Sequence, residues 1–289
     1  MDIGIDSFSY HRFFGEIAPE EPQTAVRWTA SDVLRHAREL DVDAVSLQTI
    51  HLPSLEPDAM TALRKQFREL SLRPVLAWGH RPGLEHGSNP AKVADLRRTL
   101  AAAKALGCSL VRFVAGSQHS FKVPADQRIA SLIPILRDIT DTARENGVTL
   151  AIENHVDFAM ADLVRLVEEV DADNLGICFD MVNAVRVGDD LLAAVRLASP
   201  HIRMVHMRDH IPWPATGADP EGFWPSAPLG RGILDVDGLL GFLRASGYEG
   251  ALFVEIAYMH PDYADELTVV AESVAFLKQR LSAIPILVR

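Results

Sequence analysis

Eight short apolar runs, separated by longer segments of helical pattern, recur through the chain, and this alternation constrains the fold more than any other feature. The runs fall at residues 3–9, 44–50, 73–79, 110–116, 148–154, 175–181, 202–208 and 251–257. Strands alternating with helices of this length build parallel βαβ units. Eight such units in a chain of 289 residues match a closed (β/α)₈ barrel. An open doubly wound sheet would need a Gly-rich phosphate loop after the first strand, and "IGIDSFSYHRFFGE" carries neither a G-x-G-x-x-G nor a Walker pattern. No linker or low-complexity segment divides the sequence, so the expectation is one α/β TIM-barrel domain over residues 1–289.

Helix signals support this reading. "SDVLRHARELD" opens on a Ser-Asp cap, and "PAKVADLRRTLAAAKALG" has Pro90 at its start and Gly107 past its end. Pro134, inside "RIASLIPILRDITDTARENG", predicts a kink or a late start. Residues 8–28 and 209–234 are longer than barrel connections require and rich in aromatics, including Tyr10, Phe13, Phe14, Trp28, Trp213, Phe223 and Trp224. Long βα loops lie at the catalytic face, where they act as lids or pack their own aromatics.

Strand alternation places residues i and i+2 on one face. With Leu150 and Ile152 outward, Glu153 faces the barrel axis, and the same logic turns Asp180, His206 and Glu255 inward. Four consecutive strands thus end on one potential ligand each. Three carboxylates converging without a cation repel one another. Three oxygen donors and an imidazole, with positions left open for substrate, favour Mn²⁺, Mg²⁺ or Co²⁺ over a closed structural zinc site.

"AIENH", "CFDMVNA", "VHMRD" and "LFVEI", joined by "PLGRGILDVDGLLGFLRASGYEG", resemble the sugar-phosphate isomerase/epimerase group with the xylose-isomerase-like TIM barrel. The resemblance is clearest over residues 148–256. It implies that Glu153, Asp180, His206 and Glu255 bind one divalent metal, commonly manganese, and that Glu153 and Glu255 form the proton-transfer pair of ketose 3-epimerases. The implied activity is isomerisation or epimerisation of a sugar or keto-sugar through deprotonation beside a polarised carbonyl and an enediolate.

Two departures stand out. Asn183 replaces the substrate-touching His of the epimerases' Asp-x-x-His, and Pro212 stands where they carry a substrate-binding arginine. In their place the chain offers His155 as a candidate base and Arg208 and His210 near the metal histidine. Asn183, His11, His80, Trp213 and Arg231 join Arg208 as candidate substrate contacts, with Gln48, His51, Trp78, Ser117 and His119 ending other strands. "GIDSFSYHRFFGE" is similar to the start of barrel subunits that cleave 3-oxo-glycosides beside a small β-rich partner, so elimination by a lyase is the alternative.

Composition narrows the partners. A formal net charge of −11 repels phosphate backbones, and Asn183 departs from the three-metal pattern of the AP endonucleases that share this barrel. A binding module that has lost catalysis would typically lack one of the four ligands, and none is missing. Cys108 and Cys178 read as reduced thiols, no apolar run is long enough to span a bilayer, and the start lacks signal-peptide features, so a cytoplasmic protein is expected. "AIPILVR" at the C-terminus suggests a homo-oligomer contact or a packed tail.

Overall fold

The computed structural model describes residues 1–18, 21–79, 82–117, 122–213, 224–263 and 265–283. Eight parallel strands close into a barrel: β1 (Asp2–Asp6), β2 (Ala44–Gln48), β3 (Arg73–Ala77), β4 (Leu110–Val114), β5 (Thr149–Glu153), β6 (Leu175–Asp180), β7 (Ile202–Met207) and β10 (Ala251–Val254). Pairing of β1 with both β2 and β10 closes the ring. Two short strands, β8 (Asp209–His210) and β9 (Ser226–Ala227), pair antiparallel just beyond the end of β7.

Each barrel strand stops one to three residues before its apolar run does. The inner faces meet in a small cluster of Ala44, Val75, Ala151, Cys178, Met204, Ala251 and Phe253. Outward residues such as Ile152, Phe179, Val205 and Met207 join the larger layer between strands and helices. Gly4 leaves room for Phe253 in the inner cluster, since a Cβ there would lie 2.5 Å from that ring.

Helices cover the outside. They are α1 (Ala30–Glu39), α2 (Pro57–Glu69), α3 (Pro90–Leu106), α4 (Ala125–Glu145) and α5 (Met160–Val170). Between β6 and β7 lie α6 (Met181–Arg186) and α7 (Leu191–Ala198), followed by α8 (Val236–Ala245) and α9 (Glu266–Ala283). α3 begins where Asn89 accepts the Ala91 N–H and ends at Gly107 in the left-handed region, φ 76°, as an N-terminal Pro and a C-terminal Gly require. α4 corrects one expectation: it starts at Ala125, well ahead of Pro134, so the proline delays nothing. Its cost is local, a missing N–H for the Ala130 carbonyl. Among the described residues no helix is long and apolar enough to cross a membrane.

The loop after β1 begins with a 3₁₀ turn, Ser7–Phe14. Tyr10 and Phe13 pack on Trp28 at ring distances of 4.8 and 5.0 Å, so the loop packs its own aromatics, and Tyr10 and Phe13 are buried with the core. Phe14 instead lies flat on the His51 ring at 4.2 Å. Of the second long connection, Phe223 lies outside the described residues, as do residues 284–289 of the apolar tail.

Candidate metal centre

Glu153 ends β5, Asp180 ends β6 and His206 lies near the end of β7, while Glu255 follows β10 directly. The Glu255 N–H donates to the Met207 carbonyl at 3.3 Å, which fixes it beside β7. One ligand atom from each of the four lies within 4.8 Å of the others, and all four residues are buried. Their convergence depends on a register shift between β6 and β7. Ile177 pairs with Ile202, but Cys178 pairs with Met204, so Arg203 is the extra residue and Asp180 stands opposite His206. Such a bulge re-aims every side chain beyond it.

Around this cluster the chain supplies counter-charge. Arg112, inward on β4, pairs with Glu153, and the Arg208 guanidinium donates to Asp180 Oδ2 at 3.0 Å and stands 3.6 Å from Glu255. Asp6, at the end of β1, accepts from Ser46 and Gln48 and sits 3.8 Å from His206 Nε2. Four carboxylates in their ionised forms face two guanidiniums, leaving two negative charges, the charge of one divalent cation. Asn183 donates from its amide to Glu153 Oε1 at 3.1 Å, and its backbone N–H donates to Asp180 Oδ1 at 2.7 Å. Asn154 exchanges two bonds with the Asp180 backbone.

Burial alone would lower the His206 imidazole, but the neighbouring Glu255, Glu153 and Asp180 carboxylates outweigh it and raise its pKa well above the ordinary value. Burial likewise would raise Glu255, yet charged His206 and Arg208 hold it down to about 2. Asp180 is pulled well below the usual carboxylate range against its own burial, chiefly by Arg208 and His206. Both ring nitrogens and Glu153 Oε2 lack an aligned hydrogen bond, although His206 Nδ1 stands 3.4 Å from Glu255. Orphaned donor atoms in a buried anionic cluster are what a bound divalent ion requires. Oxygen-rich donors with one imidazole fit such an ion.

The remaining expected residues distribute unevenly. Arg208 and Asn183 touch the cluster. His155 follows Glu153 by two residues, and its Nδ1 lies 3.2 Å from the Gly116 carbonyl. The backbone after it is strained: Val156, a β-branched residue, has φ 58°. Both nitrogens of His11 are engaged, by the Phe8 carbonyl at 2.8 Å and by Glu21 at 2.8 Å. Trp213 packs edge-on against His260 at 4.8 Å. Arg231 is mostly exposed and directs its guanidinium to Glu272 of α9, 3.9 Å away, and not to the cluster. Trp78 is buried in the helix layer and donates to Asp95. Gln48 supports Asp6. His80 and His119 lie outside the described residues.

Sequence reasoning missed Arg112, Asp6 and Asn154. An arginine inside an otherwise apolar strand was the available signal for Arg112. Asp6 was signalled by sharing a face with Gly4, two residues before it.

The profile of the xylose isomerase-like TIM barrel family matches residues 34–280. An inosose isomerase of Halalkalibacterium halodurans is 27% identical over 139 residues, 46% of this chain and 47% of that protein. A 3-oxo-isoapionate decarboxylase of Pectobacterium atrosepticum is 24% identical over 195 residues, 66% of this chain and 64% of that protein. The chain therefore spans less than two thirds of the length of either curated relative. Among solved structures, the IolI protein with a binding zinc atom superposes with a TM-score of 0.75 at 18% identity, covering 98% of both chains. That likeness is one of fold.

Proposed function

The chain belongs to the xylose isomerase-like TIM barrel family, and from that membership and the geometry of the mouth we propose that it is a divalent-metal-dependent isomerase or epimerase of a sugar or keto-sugar. One observation carries the reading: Glu153, Asp180, His206 and Glu255 converge within 4.8 Å, buried, with neither ring nitrogen of His206 in an aligned hydrogen bond.

A divalent ion held by these four residues, manganese before magnesium or cobalt, supplies Lewis-acid polarisation of a substrate carbonyl. The rest is the work of the chain. Glu153 and Glu255 come from strands separated in the barrel by β6 and β7, so they reach a ligand at the mouth from two sides. A carboxylate within hydrogen-bond reach of a carbon acid next to the carbonyl removes its proton. Return from the second carboxylate to the other face inverts that carbon, and return to the neighbouring carbon interconverts aldose and ketose. Arg112 and Asn183 hold Glu153, and Arg208 stands beside Glu255, so both carboxylates are kept in place through the reaction. His155, two residues beyond Glu153, is the alternative base.

The test is proton–deuterium exchange into a panel of ketoses and 3-oxo-sugars with Mn²⁺ present. Exchange beside a carbonyl is expected, lost in Glu255→Gln protein that still holds metal. No exchange at any such carbon across the panel, with metal bound, would falsify the reading.

The similarity to a decarboxylase over about two thirds of the chain supports a second reading at the level of class, a lyase; the resemblance of "GIDSFSYHRFFGE" gives it the form of deprotonation beside a carbonyl with expulsion of a group from a 3-oxo-sugar. A small partner subunit belongs to that reading. Product analysis separates the two: an isomer of equal mass supports the first, an eliminated fragment the second.

A further inference from the structure

His210 has no role in the chemistry above, yet it is placed as few surface histidines are. Alternation along the end of β7 puts His206, Arg208 and His210 on one face, and the contacts agree. Arg208 reaches inward to Asp180, while Asp209 between them turns the other way and binds the backbone of residues 230–234. The His210 backbone is pinned on both sides, by pairing with Ser226 and by the Ile233 N–H donating to its carbonyl at 3.0 Å. Its side chain is buried, 1% exposed, and neither ring nitrogen has a hydrogen-bond partner.

The neighbourhood fixes its charge state. Burial, then Arg208 and Arg186, push the imidazole down to about 4. At working pH it is therefore neutral, with one N–H donor and one bare nitrogen acceptor. Those two cations are themselves engaged. Arg208 is paired with Asp180 and Glu255, and Arg186 donates to the Asn183 side-chain oxygen at 3.4 Å. On one side the Trp224 ring lies 4.8 Å from the imidazole, an apolar wall. Leaving both nitrogens buried and unsatisfied is costly, and a fold keeps such a cost where a ligand removes it.

A hydroxyl group complements this arrangement, because it donates and accepts at once. A phosphate or carboxylate does not: it has nothing to donate to the bare nitrogen. We propose that His210 is a substrate-binding residue that reads a hydroxyl of the sugar, and not a phosphate or carboxylate group, at the β6–β7 side of the mouth, with Trp224 against the sugar's C–H face. The inference rests on the sugar chemistry proposed above and narrows it to substrates that carry a hydroxyl, not an anionic group, at that position.

Calorimetric binding of ketohexoses, 3-oxo-hexoses and their phosphate monoesters to Mn²⁺-loaded protein tests it. Unphosphorylated sugars are expected to bind the wild type, and His210→Phe weakens that binding about ten- to a hundredfold. His210→Asn, which retains a donor and an acceptor, restores affinity to within a few-fold, which a merely structural role would not predict. With monodeoxy analogues, one missing hydroxyl should abolish the difference between wild type and His210→Phe. Equal binding by His210→Phe, weakening that His210→Asn does not restore, or no sugar binding at all overturns the proposal. Binding with this pattern but without deuterium exchange would leave it standing and remove only the isomerase chemistry.

Discussion

Replacing Asp209 by asparagine should loosen the segment that follows β7, and the geometry gives the size of the effect. The Asp209 carboxylate accepts four backbone N–H bonds: from His210 at 2.9 Å and Leu234 at 3.1 Å on one oxygen, from Gly230 at 3.1 Å and Gly232 at 2.9 Å on the other. An asparagine keeps one acceptor oxygen. Whichever way its amide is turned, two of the four donors then face an NH₂ group. Hydrogen bonds to a charged partner contribute about 1.5–3 kcal/mol each, so the two lost bonds cost about 3–6 kcal/mol before relaxation. The turn is partly exposed, and water recovers part of this, leaving a loss on the order of 2–4 kcal/mol. For a chain of this size that lowers Tm by about 4–8 °C. Calorimetric melting measures the global term, and amide exchange at Gly230, Gly232 and Leu234 the local one. A Tm within about 1 °C of wild type, with exchange at these amides unchanged, would refute the assignment of Asp209 as the clamp of this segment.

Three further outcomes are expected. Metal uptake displaces the proton that the carboxylate cluster holds on His206. Mn²⁺ titrations near neutral pH in buffers of different ionisation enthalpy should therefore register proton release, with affinity weakening as pH falls; release of none would contradict the raised imidazole. Burial pushes the Asp157 carboxyl, which has no side-chain partner, up to about 6. A folded pKa above the unfolded one means that the native state binds more protons, so stability falls as pH rises from about 4 to 6, by about 3 kcal/mol. Asp157→Asn should match wild type near pH 4 and exceed it at pH 7 in urea unfolding; parallel pH curves for the two proteins would show that the carboxyl is not buried uncharged. Cys108 and Cys178 are buried, with thiols pushed up to about 11 by desolvation, and should resist thiol reagents until the protein unfolds.

The fold was legible because its signals are local and repeated. A period of two in the strands and a cap or a glycine at the helix ends specify eight βα units without reference to the rest of the chain. The inward face of each strand was legible for the same reason. Leu150 and Ile152 must meet the helices, so Glu153 must face the axis, and likewise for Asp180, His206 and Glu255.

Alternation assigns a residue to a face but says nothing of its height in the barrel or of what stands opposite. The bulge at Arg203, which brings His206 level with Asp180, left no mark that a single sequence reveals. Arg112 belongs to the same class, whereas alternation already turned Arg208 inward. Arg112 reads as an odd residue in an apolar strand until β4 is placed beside β5, and only then is it the partner of Glu153. Loop residues were the least legible. Arg231 and His11 are aimed by turns whose contacts come from distant helices and loops, Glu272 for one and Glu21 for the other. Sequence by itself determined which side chains the strands deliver to the mouth. Tertiary structure decided which of them meet, because meeting depends on register and long-range packing, to which no local pattern is bound.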